Sequence, residues 1–321
     1  MEENYNGIVE DPRSIQDQAL DYRHEDLAQG EVILNWIDYN EKHLKTYPIQ
    51  NQDGSLSCVA QATSKILAMH EVLEGGSYKQ LCPKFIYTRR ENYPSGGMWL
   101  PNALSIACKN GACEEILQPC DMKGETFMND LSEPGILVEN AKNFKGKYYF
   151  EITDRSIDNI AKVLEQGYGV LAGFRFDYNE WTDVPWLDPN SKRVCGHGIA
   201  FVDYVLYEGK KALVMEDSWG PGYGKGGRRI ITQDFLDARC FYAGYVTSLP
   251  NYKFEKTLRY GSKGVEVRKL QEFLNTQSFI LKVDGIFGKM TDLAVKLFQK
   301  KHGLIDDGVV GPKTNKVINK L

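Results

Sequence analysis

Two copies of one pattern, D-G-x-x-G-x-x-T, stand 23 residues apart near the end of the chain, as DGIFGKMT at 284–291 and DGVVGPKT at 307–314. A glycine after the aspartate permits a turn with positive φ, and the residues that follow open a helix. Apolar positions at helical spacing flank both copies: Val267, Leu270 and Phe273–Leu274, then Leu293, Val295 and Leu297–Phe298, then Val317–Ile318 and Leu321. The last 64 residues, 258–321, therefore read as a compact all-α unit of three helices.

Charge marks the same boundary. Residues 256–321 hold 13 Lys/Arg against 6 Asp/Glu, a net +7, and the other 255 residues carry −11. The whole chain is close to balance at −4, which argues against a nucleic-acid partner. No apolar run reaches the roughly 20 residues of a membrane span, and the acidic start MEENYNGIVEDPRS has no apolar core of a signal peptide. The expectation is a monomer made in the cytoplasm, without membrane insertion.

Ahead of that unit, residues 1–30 are polar and read as an extended arm wrapping the next domain, 31–250, with 251–257 as a linker. Glu31–Tyr39 is a short β-prone run. CVAQATSKILAMHEVLEGG repeats apolar residues at helical spacing and stops at Gly75-Gly76, which puts Cys58 at a helix N-terminus. Leu81–Arg90, Pro101–Asn110 and Arg155–Gln166 read as further helices. Strands follow at 169–176, 198–207, 211–218 and 228–232. Helices first and antiparallel strands later indicate an α+β domain with two lobes.

Seven Cys and no CxxC pair argue against a zinc ribbon, and the odd count favours reduced thiols. Most are read as small buried hydrophobes. Cys58 differs, because a thiol at a helix N-terminus lies at the positive end of the helix dipole. A thiol that attacks an amide needs ionisation, a held base and an oxyanion donor. His197, between two glycines at the start of an apolar strand, is the candidate base. Asp217 ends the next strand and can fix the imidazole tautomer. Gln52, six residues before Cys58, is the candidate oxyanion donor. His70-Glu71 lacks a second His four residues on, so it reads as a solvated face. Cys195 near His197 reads as packing. No metal and no cofactor is expected.

QDGSLSC, CGHGIAFVDY and EDSWGPGYGKGG, in that order, resemble three motifs of the papain family of cysteine peptidases. Ser95-Gly96-Gly97 is similar to that family's glycine wall, which hydrogen-bonds an extended substrate. The resemblance covers residues 31–250 and implies Cys58 as nucleophile, His197 as base, Gln52 as oxyanion donor and Asp217 in place of the usual Asn. It implies that Trp219 shields the orienting hydrogen bond, and that Gly96, Gly97, Leu56 and Gly196 line the peptide site. The departures are Val59 for Trp, Ser55 for a disulfide cysteine, and Leu56 for a glycine near the first specificity pocket. Only about 30 residues precede the domain, too few for a long inhibitory pro-segment.

Gly264–Leu274, VDGIFG, AVKLFQ and DGVVGPKT resemble the three-helix peptidoglycan-binding module. The two resemblances together imply a cell-wall-directed cysteine endopeptidase, of phage-lysin type, that cuts peptidoglycan peptides. The alternatives are a general protein-cleaving protease anchored to the wall, and an inactive peptidase-like wall-binding protein.

Overall fold

The computed structural model describes residues 7–10, 12, 32–73, 75–248, 254, 256–277 and 279–318. Of these, the residues up to 248 form one compact unit and those from 254 onward a second. Most of the N-terminal arm, most of the 251–257 linker, and Leu321 lie outside the described residues. No described helix is long and apolar enough to cross a membrane.

The first unit is built around α1, Cys58–Leu73, in which every residue from Cys58 to His70 is buried. A helix sealed on all sides must satisfy its polar groups internally. Thr63 donates to the carbonyl of Val59 at 2.7 Å, and Ser64 to that of Gln61 at 2.8 Å. Lys65 Nζ lies 2.6 Å from Glu216 Oε2. His70 is likewise buried, with Nε2 3.0 Å from the Ser248 hydroxyl and its ring stacked on Tyr168. This corrects the reading of His70 as part of a solvated face: the helix has no solvated face until its last turn. Shorter helices α2 (Pro83–Tyr87), α3 (Leu100–Lys109), α4 (Gly124–Met128) and α5 (Gly135–Ala141) complete this lobe.

The other lobe is a six-stranded antiparallel sheet in the order β1-β6-β2-β3-β4-β5. The strands are β1 (Tyr148–Glu151), β2 (Val170–Phe176), β3 (Cys195–Tyr207), β4 (Lys210–Glu216), β5 (Arg228–Thr232) and β6 (Cys240–Thr247). Helix α6 (Ile157–Glu165) precedes β2, and α7 (Gln233–Arg239) lies between β5 and β6. The described residues of the β-prone run 31–39 form no strand. Its described residues touch β3 through one bridge, Asp38 to Leu206, where that strand has run past its β2 partner. Edge-on contacts of Trp36 with Tyr204 and Tyr39 with Tyr207 pin it there, while Ile33 and Ile37 stay exposed.

The second unit holds α8 (Val265–Thr276), α9 (Lys289–Lys301) and α10 (Pro312–Ile318). Its repeat is organised by two glutamines. Gln271 Nε2 donates to Asp284 Oδ1, the Ile286 carbonyl and Thr291 Oγ1 at 3.0–3.1 Å. Gln299 does the same with Asp307, Val309 and Thr314 at 2.9–3.1 Å. Gly285 and Gly308 take φ of 72° and 75°. The Asp, Gly and Thr of each copy thus close one turn over one buried amide, which accounts for the repeat. The core takes Val267, Leu270, Phe273, Leu274, Val295, Phe298 and Ile318. Leu293 and Leu297, expected on the same apolar stripes, are half exposed. They lie on the face of α9 turned away from Ala294, Val295 and Phe298.

Candidate active site

The GHG sequence is explained by how closely β3 crosses the start of α1. A Cβ on Gly198 would come within 2.8 Å of Val59 Cγ2 and 3.0 Å of Val59 Cα. With glycine there, the Gly198 amide reaches Cys58 Sγ at 3.3 Å. Cys58 is the first residue of α1, and both it and His197 are 1% exposed.

His197 Nε2 lies 2.7 Å from Asp217 Oδ1, so the nitrogen left to face Cys58 is Nδ1. Asp217 sits just beyond the end of β4, next to β3 in the sheet. Burial disfavours the imidazolium, but the charge and hydrogen bond of Asp217, and then Cys58, outweigh it. The His197 pKa is raised to about 9. Burial also disfavours the Asp217 carboxylate; His197, Arg229 and Trp181 overcome this and hold its pKa below the ordinary value.

Two of those groups escaped the sequence reading. Trp181 Nε1 donates to Asp217 Oδ2 at 3.0 Å, and Arg229 Nε to the same oxygen at 3.1 Å. Trp181 is set by the turn Tyr178–Glu180, where Glu180 is buried and paired with Arg239 at 2.6 Å. Nothing in the local pattern links position 181 or 229 to position 217; only the assembled sheet does. Trp219 packs beside the imidazole, ring centroids 4.8 Å apart, and Trp181 meets it edge-on at 5.9 Å.

Gln52 is buried close by. Its Oε1 accepts from Ser218 Oγ at 2.6 Å, and its Nε2 donates one hydrogen to the Ser55 carbonyl at 2.5 Å. Both contacts fix the amide plane and leave a second N–H. Ser55, at the position of the family's cysteine, bonds the Ser57 hydroxyl at 2.7 Å. Leu56 fills the space beside Gly96, where a Cβ would collide with its Cδ1. Gly97 donates to the Tyr87 hydroxyl at 3.0 Å, and Asn92 Nδ2 binds the carbonyls of Gly96 and Gly97 at 3.3 and 3.0 Å. Gly196 is buried opposite Arg175 in the β2–β3 register.

Gly96-Gly97 is followed by Met98, and this residue pairs with another segment. Ile8 forms a parallel bridge to Met98: Met98 N–H binds the Gly7 carbonyl at 3.0 Å, and Val9 N–H binds the Met98 carbonyl at 3.1 Å. Glu10 continues the segment to an ion pair with Arg175 at 2.7 Å. Gly7 itself lies against Cys58, the candidate nucleophile. A Cβ there would overlap Cys58 Sγ and come within 2.9 Å of the Leu56 carbonyl. Residues 7–10 thus lie in the cleft and cover the sulfur.

The seven cysteines are all free. Cys82 and Cys120 have their sulfurs 3.2 Å apart in the core, and burial raises the Cys82 thiol. Among the described residues no cluster of His, Cys, Asp and Glu could hold a metal ion.

Known proteins match the two units separately. Residues 263–318 match a family described as putative peptidoglycan binding domain. Mouse (Mus musculus) cathepsin K is 24% identical over 208 residues, covering 62% of this chain and 59% of cathepsin K. A spore cortex-lytic enzyme of Bacillus cereus is 39% identical over 66 residues, covering 20% of this chain and 26% of that enzyme. The chain thus spans about three-fifths of the first relative and a quarter of the second. The crystal structure of xylellain, a cysteine protease from Xylella fastidiosa, superposes with a TM-score of 0.62 at 17% identity, covering 77% of this chain and 97% of xylellain. The xylellain likeness shows the fold. The chain joins a domain with the papain-like cysteine protease fold to a C-terminal segment that matches the putative peptidoglycan binding domain.

Proposed function

We propose that this protein is a cell-wall-directed cysteine endopeptidase that hydrolyses peptide bonds in peptidoglycan. The observation that carries the reading is the pairing of His197 with Asp217 beside Cys58, in a chain that also bears a peptidoglycan-binding match.

The thiol proton passes to His197 Nδ1, and the Asp217 carboxylate stabilises the resulting imidazolium. The thiolate of Cys58 adds to the substrate carbonyl carbon. The Cys58 backbone amide at the start of α1 and the free N–H of Gln52 receive the oxyanion. Collapse of the tetrahedral adduct breaks the C–N bond, and the imidazolium gives its proton to the leaving amine. Water, deprotonated by His197, then cleaves the thioester and restores the thiol.

Attachment of the C-terminal unit raises the local concentration of wall peptides at the site. In that unit Leu304, Ile305, Val309, Pro312 and Lys313 line a recess suited to a partly apolar ligand. The spore cortex-lytic relative matches over a stretch of this length, which favours a wall substrate over a general protein substrate.

The test compares the full chain with a form ending at residue 250. On a small soluble peptide the two should turn over alike, since no proposed catalytic group is lost. On purified walls the shortened form should be much slower. Equal rates on walls would contradict the targeting role and leave a general peptidase.

A further inference from the structure

The orienting carboxylate at position 217 is held by more than the histidine. Its Oδ1 takes His197 Nε2 and the Ser218 amide, and its Oδ2 takes Trp181 and Arg229. Arg229 lies on β5, opposite Met215 near the end of β4, so strand pairing delivers its side chain to the carboxylate. Its side chain is 3% exposed, and that of Asp217 is fully sealed. The guanidinium also faces two indoles, with Trp181 at 5.4 Å and Trp219 at 5.5 Å from its centre.

We infer that Arg229 is a positioning residue, matched to the aspartate at 217, which fixes the carboxylate behind His197 and offsets its charge. A neutral amide at 217 would need no such partner. A buried carboxylate would, because the one imidazolium also faces the Cys58 sulfur, and a thiolate there leaves the buried site one positive charge short. The pairing rests on His197 as the base of the proposed reaction and holds for any peptide substrate.

The neighbouring charges set the sign of the test. Cys58 faces His197 from α1, and Lys65, also on α1, feels Asp217 but is paired to Glu216. Arg228 on β5 is paired to Glu216 as well. Arg229 is the cation bonded to Asp217, so its removal strengthens the pull of the carboxylate on the imidazolium.

The experiment follows the His197 ring by NMR across pH in the full-length protein, with thermal unfolding in parallel. Arg229→Met should move the His197 titration upward from about pH 9, and should lower kcat/KM by about 10- to 100-fold as the imidazole loses its fixed orientation. Asp217→Asn alone should lower Tm sharply, because it strands Arg229. Asp217→Asn in the Arg229→Met background should lower it far less. If Arg229→Met does not fold, a folded double variant beside two failing single variants shows the same coupling. An unmoved or lowered His197 titration, or additive effects on Tm, would overturn the pairing.

Discussion

Gly7 passes against Cys58 so closely that its missing Cβ is what makes the contact possible. The segment is held by two backbone bonds to Met98 and by Glu10 on Arg175. The ion pair is exposed and adds little, so the two backbone bonds carry the seat. Removing residues 1–12 should therefore speed alkylation of Cys58 by iodoacetamide several-fold. Gly7→Leu should act in the same direction, because a side chain there lifts the segment off the sulfur. A rate unchanged in both would show that these residues do not shield the nucleophile.

The pH dependence follows from His197. Its folded pKa of about 9 lies above the ordinary 6.5. The stabilisation from its charged form is thus full below pH 6.5 and is lost as pH rises through 9. For Asp217, whose pKa is depressed, the stabilisation is present above the ordinary 3.8 and is lost as pH falls below it. The alkaline limb of kcat/KM should fall near pH 9, where the imidazolium gives up its proton. A limb near 6.5 would mean that Asp217 does not act on the histidine in solution.

Gln52 is held by Ser218 and Ser55 with one N–H uncommitted to either. Gln52→Ala should lower kcat by about 10- to 1,000-fold, the usual effect of one lost oxyanion donor. Circular dichroism should show the fold intact. An unchanged kcat would leave Gln52 as a loop residue only.

Gly198→Ala tests the contact that brings β3 onto α1. The added Cβ meets Val59 within 3.0 Å. Overpacking of this kind costs about 1–3 kcal/mol, and here it also moves His197 away from Cys58. Both Tm and alkylation rate should fall. A neutral substitution would mean that the two elements separate freely.

The sequence motifs named the residues proposed to carry chemistry, because each motif is a local run: Gln52 with Cys58, Gly196 with His197, Asp217 with Trp219. Groups that arrive through the sheet were not legible. Trp181 and Arg229 meet Asp217 only because a loop and β5 converge on the end of β4. Strands β1 and β6 were missed for a related reason. They pair at the sheet edge with mixed polar, aromatic and glycine residues, so no clean alternation marks them. The run 31–39 failed in the opposite sense, having β-prone residues but only a short stretch of free strand to join. In the C-terminal unit, the glutamines were hidden behind a repeat whose conspicuous letters are the residues they bind.

A thiol peptidase of the wall must cut peptidoglycan peptides through Cys58. Purified peptidoglycan should be digested with the wild-type chain and with Cys58→Ser, and the soluble products weighed by mass spectrometry. The wild-type digest should contain new peptide termini, with one water added for each bond cut, and the Cys58→Ser digest none. Identical spectra from the two proteins would contradict it.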